Sequence, residues 1–401
     1  MTMLSVEEAQ ARLLALATPL PAETVPLAES AGRWLAEPLL ATRDQPWTDL
    51  SAMDGYAIRH TDLPGPWTLI GESAAGSLPR ETPLAAGETV RIFTGAPLPA
   101  GADTIVVQED VTADGGIIRL SGEGPGIAGR HVRARASDFA EGARLLDAGT
   151  PLGPAQIGLA ALAGHAGLTV RRRPRVTILS TGNELVAPGT PCGPGQLPAS
   201  NGAMLRAMIA KAGGLVMDDR LVTDDLDEMR AAFAGARDAD VIVTSGGASV
   251  GDHDLVRPAL EAAGGAIDFW RIAMRPGKPL IVGRLGDAVV IGLPGNPVSA
   301  LVTGALFLLP LLRHLAGAAD PLPRAGLARL GADMPAVGKR TDFIRAILAD
   351  GIVTPLGFQD SAAMGAAARA NALIVRPAGA GAARAGEDAR VLDWSALGLA
   401  G

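Results

Sequence analysis

The sequence holds a single cysteine, Cys192, among 401 residues. That excludes an internal disulfide framework, a cysteine-rich zinc site and a thiolate-held iron–sulfur cluster. Five scattered histidines argue against a histidine-based metal site as well. Aromatic residues make up only 3% of the chain, with one tyrosine, Tyr56; a single-stranded nucleic-acid binder needs more stacking platforms. Positive charge is not in excess either. The net charge of −7 opposes binding to a phosphate backbone. Lysine is nearly missing: of 35 basic residues only Lys211, Lys278 and Lys339 are lysines. A lysine kept where arginine is otherwise used is a candidate for a role that needs a compact ammonium, with chance survival as the plain alternative. The first residues show no basic stretch followed by an apolar run, so no signal peptide is expected and the cytoplasm is the default compartment. One uncharged stretch, 288–312, has the length of a membrane span. Pro294, Gly295, Asn296 and Pro297 interrupt it and Pro310 is expected to shorten the remainder, which leaves a buried core helix and no membrane.

Glycine and proline are abundant, 51 and 30 residues, well above a usual combined share of about 12%. A chain punctuated this often folds into short strands and tight turns, and its length points to two to four domains at ~100–200 residues each. Ser5 and Glu8 have capping-box spacing ahead of Val6, Ala9, Leu13 and Leu16, which predicts a helix over 5–17. A second helical run covers 155–166. Between them lie the short apolar runs 67–70, 89–93, 104–108 and 117–120, read as a small β domain over 46–136 inserted into a mostly helical N-terminal domain, 1–45 and 137–172. Arg171–Arg172–Arg173 before Pro174 reads as a solvated hinge. Beyond it the pattern alternates: strands at 176–179, 241–244, 267–272, 279–282 and 289–291, with helices at 203–212, from Asp225, at 255–263 and from Val298. Such alternation predicts an α/β domain, 173–318, with a mainly parallel sheet that binds ligands beyond its carboxyl ends. From 319 to 401 the chain returns to β-like pieces, the best at 341–348 and 372–375, with a loose loop at 378–386.

Several strand ends run into loops that could carry chemistry. Ser180-Thr181-Gly182-Asn183-Glu184 follows the first α/β strand. Ser245-Gly246-Gly247-Ala248-Ser249 follows another and leads through Asp252-His253-Asp254 to a helix; glycines there let backbone N–H groups approach a phosphate, although a structural turn explains them equally well. Arg271, Arg275 and Lys278 around a Pro-Gly turn form an oxyanion candidate or a basic surface turn. Gly292-Leu293-Pro294-Gly295-Asn296-Pro297-Val298-Ser299 joins a strand to a helix, with Pro297 suited to its first turn. Taken alone, Asp54 in Met53-Asp54-Gly55-Tyr56-Ala57 is a turn residue, and Thr94 in Phe93-Thr94-Gly95-Ala96-Pro97 is equally open.

Taken in order, MDGYA, TGAPLPAGADTIVVQED, STGNEL, TSGGASVGDHD, MRPGKP and GLPGNPVS resemble the molybdopterin molybdenumtransferase family, MoeA, which includes the gephyrin E domain; the resemblance spans essentially the whole chain. It implies an elongated homodimer of four domains per chain: a central α/β domain of the molybdopterin-binding type, the inserted β domain, a helical N-terminal domain and a C-terminal β-barrel-like domain. It implies insertion of molybdenum from molybdate into adenylylated molybdopterin with release of AMP, assisted by Mg²⁺, in a cleft between the α/β domain of one subunit and the inserted domain of the other. Matched by motif, Asp54 and Thr94 face the partner's cleft. Asp138, Glu184, Asp224 and Asp254 take the family's functional acidic positions, the last three as metal ligands. Arg271, Arg275, Lys278, Pro294, Pro297, Ser299, Arg340 and Ser361 take positions near molybdate or the anionic substrate, and Ser245, Gly246, Gly247 and Ser249 form the phosphate loop. Arg271 and Arg275 stand where many relatives carry lysine, so charge is kept while contact geometry changes. Transient contacts with a molybdopterin adenylyltransferase and with acceptor molybdoenzymes are implied as well. A non-catalytic pterin carrier or scaffold, and the adenylyltransferase itself, are the alternative readings.

Overall fold

The structure is a computed structural model that describes residues 3–247 and 255–400. Val6–Ala15 is the first helix. The Ser5 hydroxyl accepts from the Glu8 amide at 3.1 Å, and the Glu8 carboxylate accepts from the Ser5 amide at 2.9 Å. This is the reciprocal cap the spacing predicts. These bonds hold the Glu8 carboxyl below its ordinary pKa.

The central sheet has six strands, in the order Leu215–Val222, Arg175–Thr181, Val241–Ser245, Ala288–Leu293, Pro279–Leu285 and Ala266–Arg271. Five strands run in one direction, and Pro279–Leu285 alone, between Ala288–Leu293 and Ala266–Arg271, is reversed. Side chains alternate across it. Val176, Ile178, Val241 and Val243 meet Leu205, Met208 and Ile209 of the helix Ser200–Lys211, while Leu179, Ile242 and Val290 meet Met229, Phe233, Val256 and Leu260. Strands covered on both faces read as continuous apolar runs, which is why the four inner strands are visible in the sequence; the edge strand Ala266–Arg271 is visible through Ile267 and Phe269. Leu215–Val222 is not: it is an edge strand broken by Asp218, Asp219 and Arg220, and mostly exposed.

The apolar segment after Pro297 forms a continuous helix to Leu315. It is long and apolar enough to cross a membrane, yet 83% of it is buried inside the protein. Pro310 does not shorten it, contrary to expectation. A proline cannot donate to the carbonyl four residues back, here Leu306; the buried Gln10 side chain donates to that carbonyl instead, at 2.8 Å. A π-turn over Gly304–Leu308 directly precedes the proline's turn and widens the helix where the ring must fit. The first helix thus supplies a donor that the long helix lacks, and Val6, Ala9 and Leu13 share its core.

Residues 22–171 outside the inserted sheet carry one α-helix, Pro154–Leu162, and three antiparallel ribbons, Ala22–Pro26 with Gly167–Arg171, Leu39–Leu40 with Arg144–Leu146 and Leu50–Ser51 with Val132–Arg133, so this region is less helical than the sequence suggests. The inserted sheet runs Thr104–Val107, Gly55–Ile58, Glu88–Ile92, Trp67–Ser73, Ile117–Leu120, Val111–Asp114. Two small cores cover it, one around Ala57, Ile92 and Ile105, the other around Ile58, Trp67, Val106 and Ile118. The arginine triplet is no solvated hinge. Arg172 grips Asp240 with two bonds of 2.9 and 2.8 Å, and Arg171 donates to the Leu20 carbonyl at 3.1 Å. The junction is stitched.

The last region is a closed five-stranded barrel: Thr341–Ala349, Ile352–Pro355, Gly326–Leu330, Asp388–Asp393 and Ala372–Arg376, the last pairing back onto the first. Met274–Arg275 adds to it in parallel beside Thr341–Asp342. Segment 378–386 is tied rather than loose: the Gly379 amide donates to Gly338 at 2.8 Å, Met334 and Ala383 exchange bonds of 2.7 and 3.0 Å, and Arg376 donates to the Gly381 carbonyl.

Candidate functional site

Four parallel strands end at one edge of the central sheet, and their loops are bonded to one another. The Gly182 amide donates to Val222 at 3.2 Å, and the Gly246 amide donates to Leu293 at 3.2 Å. Asn183 and Asp224 exchange two bonds: the Asn183 amide donates to the Asp224 carboxylate at 3.2 Å, and the Asp224 amide donates to the Asn183 side-chain oxygen at 3.0 Å. That exchange sets Asp224 beside the Asn183-Glu184 turn. Glu184 is exposed, and its carboxylate folds back over Gly182: a Cβ there would lie 2.6 Å from a carboxylate oxygen, on a backbone at φ +150. A side chain there would push that carboxylate aside, and the backbone angle favours glycine.

Close approach also explains Gly246. Its φ is +103, and a Cβ would fall 2.4 Å from the Thr181 carbonyl oxygen. The Ser245–Gly247 turn is therefore pressed onto the neighbouring strand end, with Ser245 only 2% exposed. Ala248–Asp254, including Ser249 and Asp254, lie outside the described residues.

The antiparallel strand Pro279–Leu285 begins where Ala288–Leu293 ends, since Ile281 pairs with Gly292. Lys278 therefore stands at the same edge as the loops above. It is exposed and three strands away from the strand that leads to Glu184, about 14 Å at the usual strand spacing. Arg271 is half-buried at the end of the edge strand. Arg275 corrects the expectation of three cations offered to an anion: its guanidinium is taken by the buried carboxylate of Asp342 and so fastens the turn to the barrel. Arg340 is half-exposed, one residue before the strand that pairs with Met274.

Pro294 is buried, and Pro297 occupies the first position of its helix, where a missing N–H costs nothing. Ser299 is 5% exposed within that helix. Ser361 reaches the same turn from the barrel: its carbonyl accepts from the Val298 amide at 3.1 Å, and its hydroxyl bonds the Asn296 amide nitrogen at 3.1 Å. Arg345, 2% exposed, braces the loop behind Ser361 by donating to the carbonyls of Asp360 and Phe358 at 3.0 and 3.1 Å. Burial lowers its pKa, and Asp360 opposes the shift.

Asp54 and Thr94 meet in the inserted sheet. One Asp54 oxygen accepts from the Thr94 amide at 2.7 Å and from its hydroxyl at 2.8 Å. The amide bond first, then the hydroxyl and the nearby Arg91 charge, hold the Asp54 carboxyl below its ordinary pKa. No bond among the described residues joins this pair, or the exposed Asp138, to the central sheet's edge; the Asp138 amide donates to Gln45 at 3.0 Å. Asn183, Asn201 and Asn296 make the connecting bonds and were not singled out as site residues. Asn183 and Asn296 stand inside quoted motifs, whereas nothing in the sequence marks Asn201.

The fold defines a multidomain α/β protein whose central sheet gathers loops at its carboxyl edge, with a β insertion before it and a barrel after it. Residues 4–164 match the MoeA N-terminal region (domains I and II), 177–314 a probable molybdopterin binding domain, and 327–394 the MoeA C-terminal region (domain IV). The molybdopterin molybdenumtransferase of Haemophilus influenzae is 37% identical over 98% of this chain and 100% of its own length. That of Nostoc sp. is 36% identical over 92% and 88%. The structure of a molybdopterin biosynthesis MoeA protein from Pyrococcus horikoshii superposes with a TM-score of 0.83 at 31% identity, covering 98% of this chain and 99% of that one. The chain belongs to the MoeA family.

Proposed function

We propose that the protein is a molybdopterin molybdenumtransferase: it inserts molybdenum from molybdate into adenylylated molybdopterin, releasing AMP. The observation that carries this reading is the gathering of Glu184, Asp224, Ser245–Gly247, Lys278 and Pro294–Pro297 on one edge of the central sheet, in a member of the MoeA family. Both substrates are anionic. The exposed Lys278 ammonium and the Arg340 guanidinium hold oxyanions by charge-assisted bonds, beside the glycine turn Ser245–Gly247. Ser299, Ser361 and Arg271 line the same anion region, while Arg275 shapes it through Asp342.

Acidic side chains beside an anion site call for a cation between them. Asp224, held by the Asn183 exchange beside the turn that carries Glu184, and Glu184 itself are hard oxygen donors that suit Mg²⁺, with Asp254 proposed as the third ligand. When bound there, Mg²⁺ supplies charge neutralisation at phosphate oxygens and at the leaving AMP. No protein thiol is needed, because the dithiolene of the substrate is the sulfur ligand of molybdenum.

The functional unit in this proposal is a homodimer, with Asp54, Thr94 and Asp138 of one subunit completing the cleft of the other. In this reading the chain divides at 46, 137, 173 and 319, with the first helix packed on the α/β core. The protein works in the cytoplasm, receiving pterin nucleotide from an adenylyltransferase and passing the product to acceptor molybdoenzymes, without nucleic acid or membrane. The test is AMP release from adenylylated molybdopterin in the presence of Mg²⁺. It should require molybdate and should reconstitute an apo-molybdoenzyme. Tight pterin binding without AMP release would instead establish a carrier; ATP consumption with pterin alone would establish an adenylyltransferase.

A further inference from the structure

Asn201 is the second residue of the helix Ser200–Lys211, far in sequence from the two loops its side chain bonds. Its Nδ2 donates to the Ser245 hydroxyl at 2.8 Å and to the Gly295 carbonyl at 2.7 Å. A carbonyl can only accept, so Gly295 decides which way the amide faces. The same nitrogen then makes the Ser245 oxygen an acceptor and leaves the Ser245 proton to be donated elsewhere. The other amide atom, Oδ1, is buried without a hydrogen-bond partner among the described residues. An apolar side chain would avoid that unsatisfied atom, so packing is no reason for an asparagine here, whereas its two donated bonds are. Both partners lie at the ends of adjacent parallel strands, since Ser245 pairs in register with Leu293. On its far side, the Pro294–Pro297 turn is held by Ser361 through Asn296.

We infer that Asn201 is a positioning residue for the oxyanion site. It clasps the glycine turn to the Pro294–Pro297 turn and orients the Ser245 hydroxyl as a donor toward a phosphate or molybdate oxygen. This rests on the function proposed above, which supplies the oxyanion. The clasp itself rests on the two bonds alone.

The test uses the full chain with Asn201→Ala and Asn201→Asp, and Ser245→Ala as a third variant. Asn201→Asp keeps the size, cannot donate, and would draw the Ser245 proton inward. Amide hydrogen exchange over 294–298 in the ligand-free protein should speed up by about tenfold in both Asn201 variants and stay unchanged in Ser245→Ala, with thermal unfolding little altered. Molybdate alone and AMP alone are then titrated separately. Asn201→Asp should weaken binding of at least one by about tenfold, Asn201→Ala by less, and the anion affected identifies which oxyanion Ser245 serves. In turnover, KM for that anion should rise more than kcat falls. Unchanged exchange at 294–298 in both Asn201 variants overturns the clasp. Binding losses that only track the folded fraction, or a wild-type protein that binds neither anion, overturn the positioning role. Wild-type protein that binds an anion but releases no AMP refutes the proposed function and leaves both arms of this test readable.

Discussion

The central and inserted sheets each have six strands and a core on each face, yet they present chemistry differently. In the central sheet, strands that run the same way end at one edge, because crossover helices, or the reversed strand Pro279–Leu285 ahead of Ala288–Leu293, return the chain to the opposite end before the next one begins. Residues distant in sequence therefore collect there without local instruction. In the inserted sheet, Asp54 meets Thr94 because Gly55 pairs with Ile92 in an antiparallel ladder, and each flanks its strand by a residue or two. Parallel topology gathers many loops into one place; an antiparallel ladder displays one pair. The cores differ as well. The central sheet packs against a long buried helix and a large apolar cluster, whereas the inserted sheet is held by two clusters of a few residues each.

The largest expected effect falls on the central core. Phe307, wholly buried in the long helix, should cost about 3–5 kcal/mol when changed to alanine. The measurement is denaturant unfolding followed separately by probes in the two sheets. A loss that appears first in the inserted sheet would contradict the contrast in core size.

Next comes Lys278→Ala. Loss of a charge-assisted bond, about 1.5–3 kcal/mol, should raise the molybdate requirement by about ten- to a hundredfold and leave pterin-nucleotide binding less affected. Equal effects on both ligands would assign this lysine to the nucleotide.

Gln10→Ala removes the donor that satisfies Leu306 and should destabilise the protein by about 1–3 kcal/mol. Gln10→Glu should behave similarly, because an ionised carboxylate cannot donate. Full stability in both variants would show that the π-turn alone accommodates Pro310.

The separation of the two sheets can be tested by mixing. Asp54→Asn and Lys278→Ala, each impaired alone, should recover about a quarter of wild-type activity after subunit exchange, because half the dimers then carry one intact site. No recovery would place Asp54 and Lys278 in the same subunit's site.

The smallest effect is a pH dependence. Asp54 has a lowered pKa when folded, so its bond to Thr94 contributes stability above the unfolded carboxyl value of about 3.9. That contribution is lost as pH falls through the lower, folded value. Hydrogen exchange at the Thr94 amide should therefore remain protected in mildly acidic solution and lose protection only under stronger acid. Protection lost at or above the unfolded value would show that the amide bond does not depress this carboxyl.

Composition and motif order by themselves determined the family, the α/β centre and most of its strands, since strands buried on both faces must be continuously apolar and glycine must stand where backbone crowds backbone, as at Gly246. The capping box at Ser5 and Glu8 was equally legible, being local in the chain. Only the tertiary structure decided the rest. It placed Arg275 on Asp342, Arg172 on Asp240, Gln10 on the carbonyl orphaned by Pro310, and Asn201 between two strand ends. Each of these is a hydrogen bond or ion pair between residues far apart in sequence, and no periodicity or spacing encodes such a partner. A side chain's charge and donor count are written in its own residue type, but what it meets depends on where the fold brings another segment.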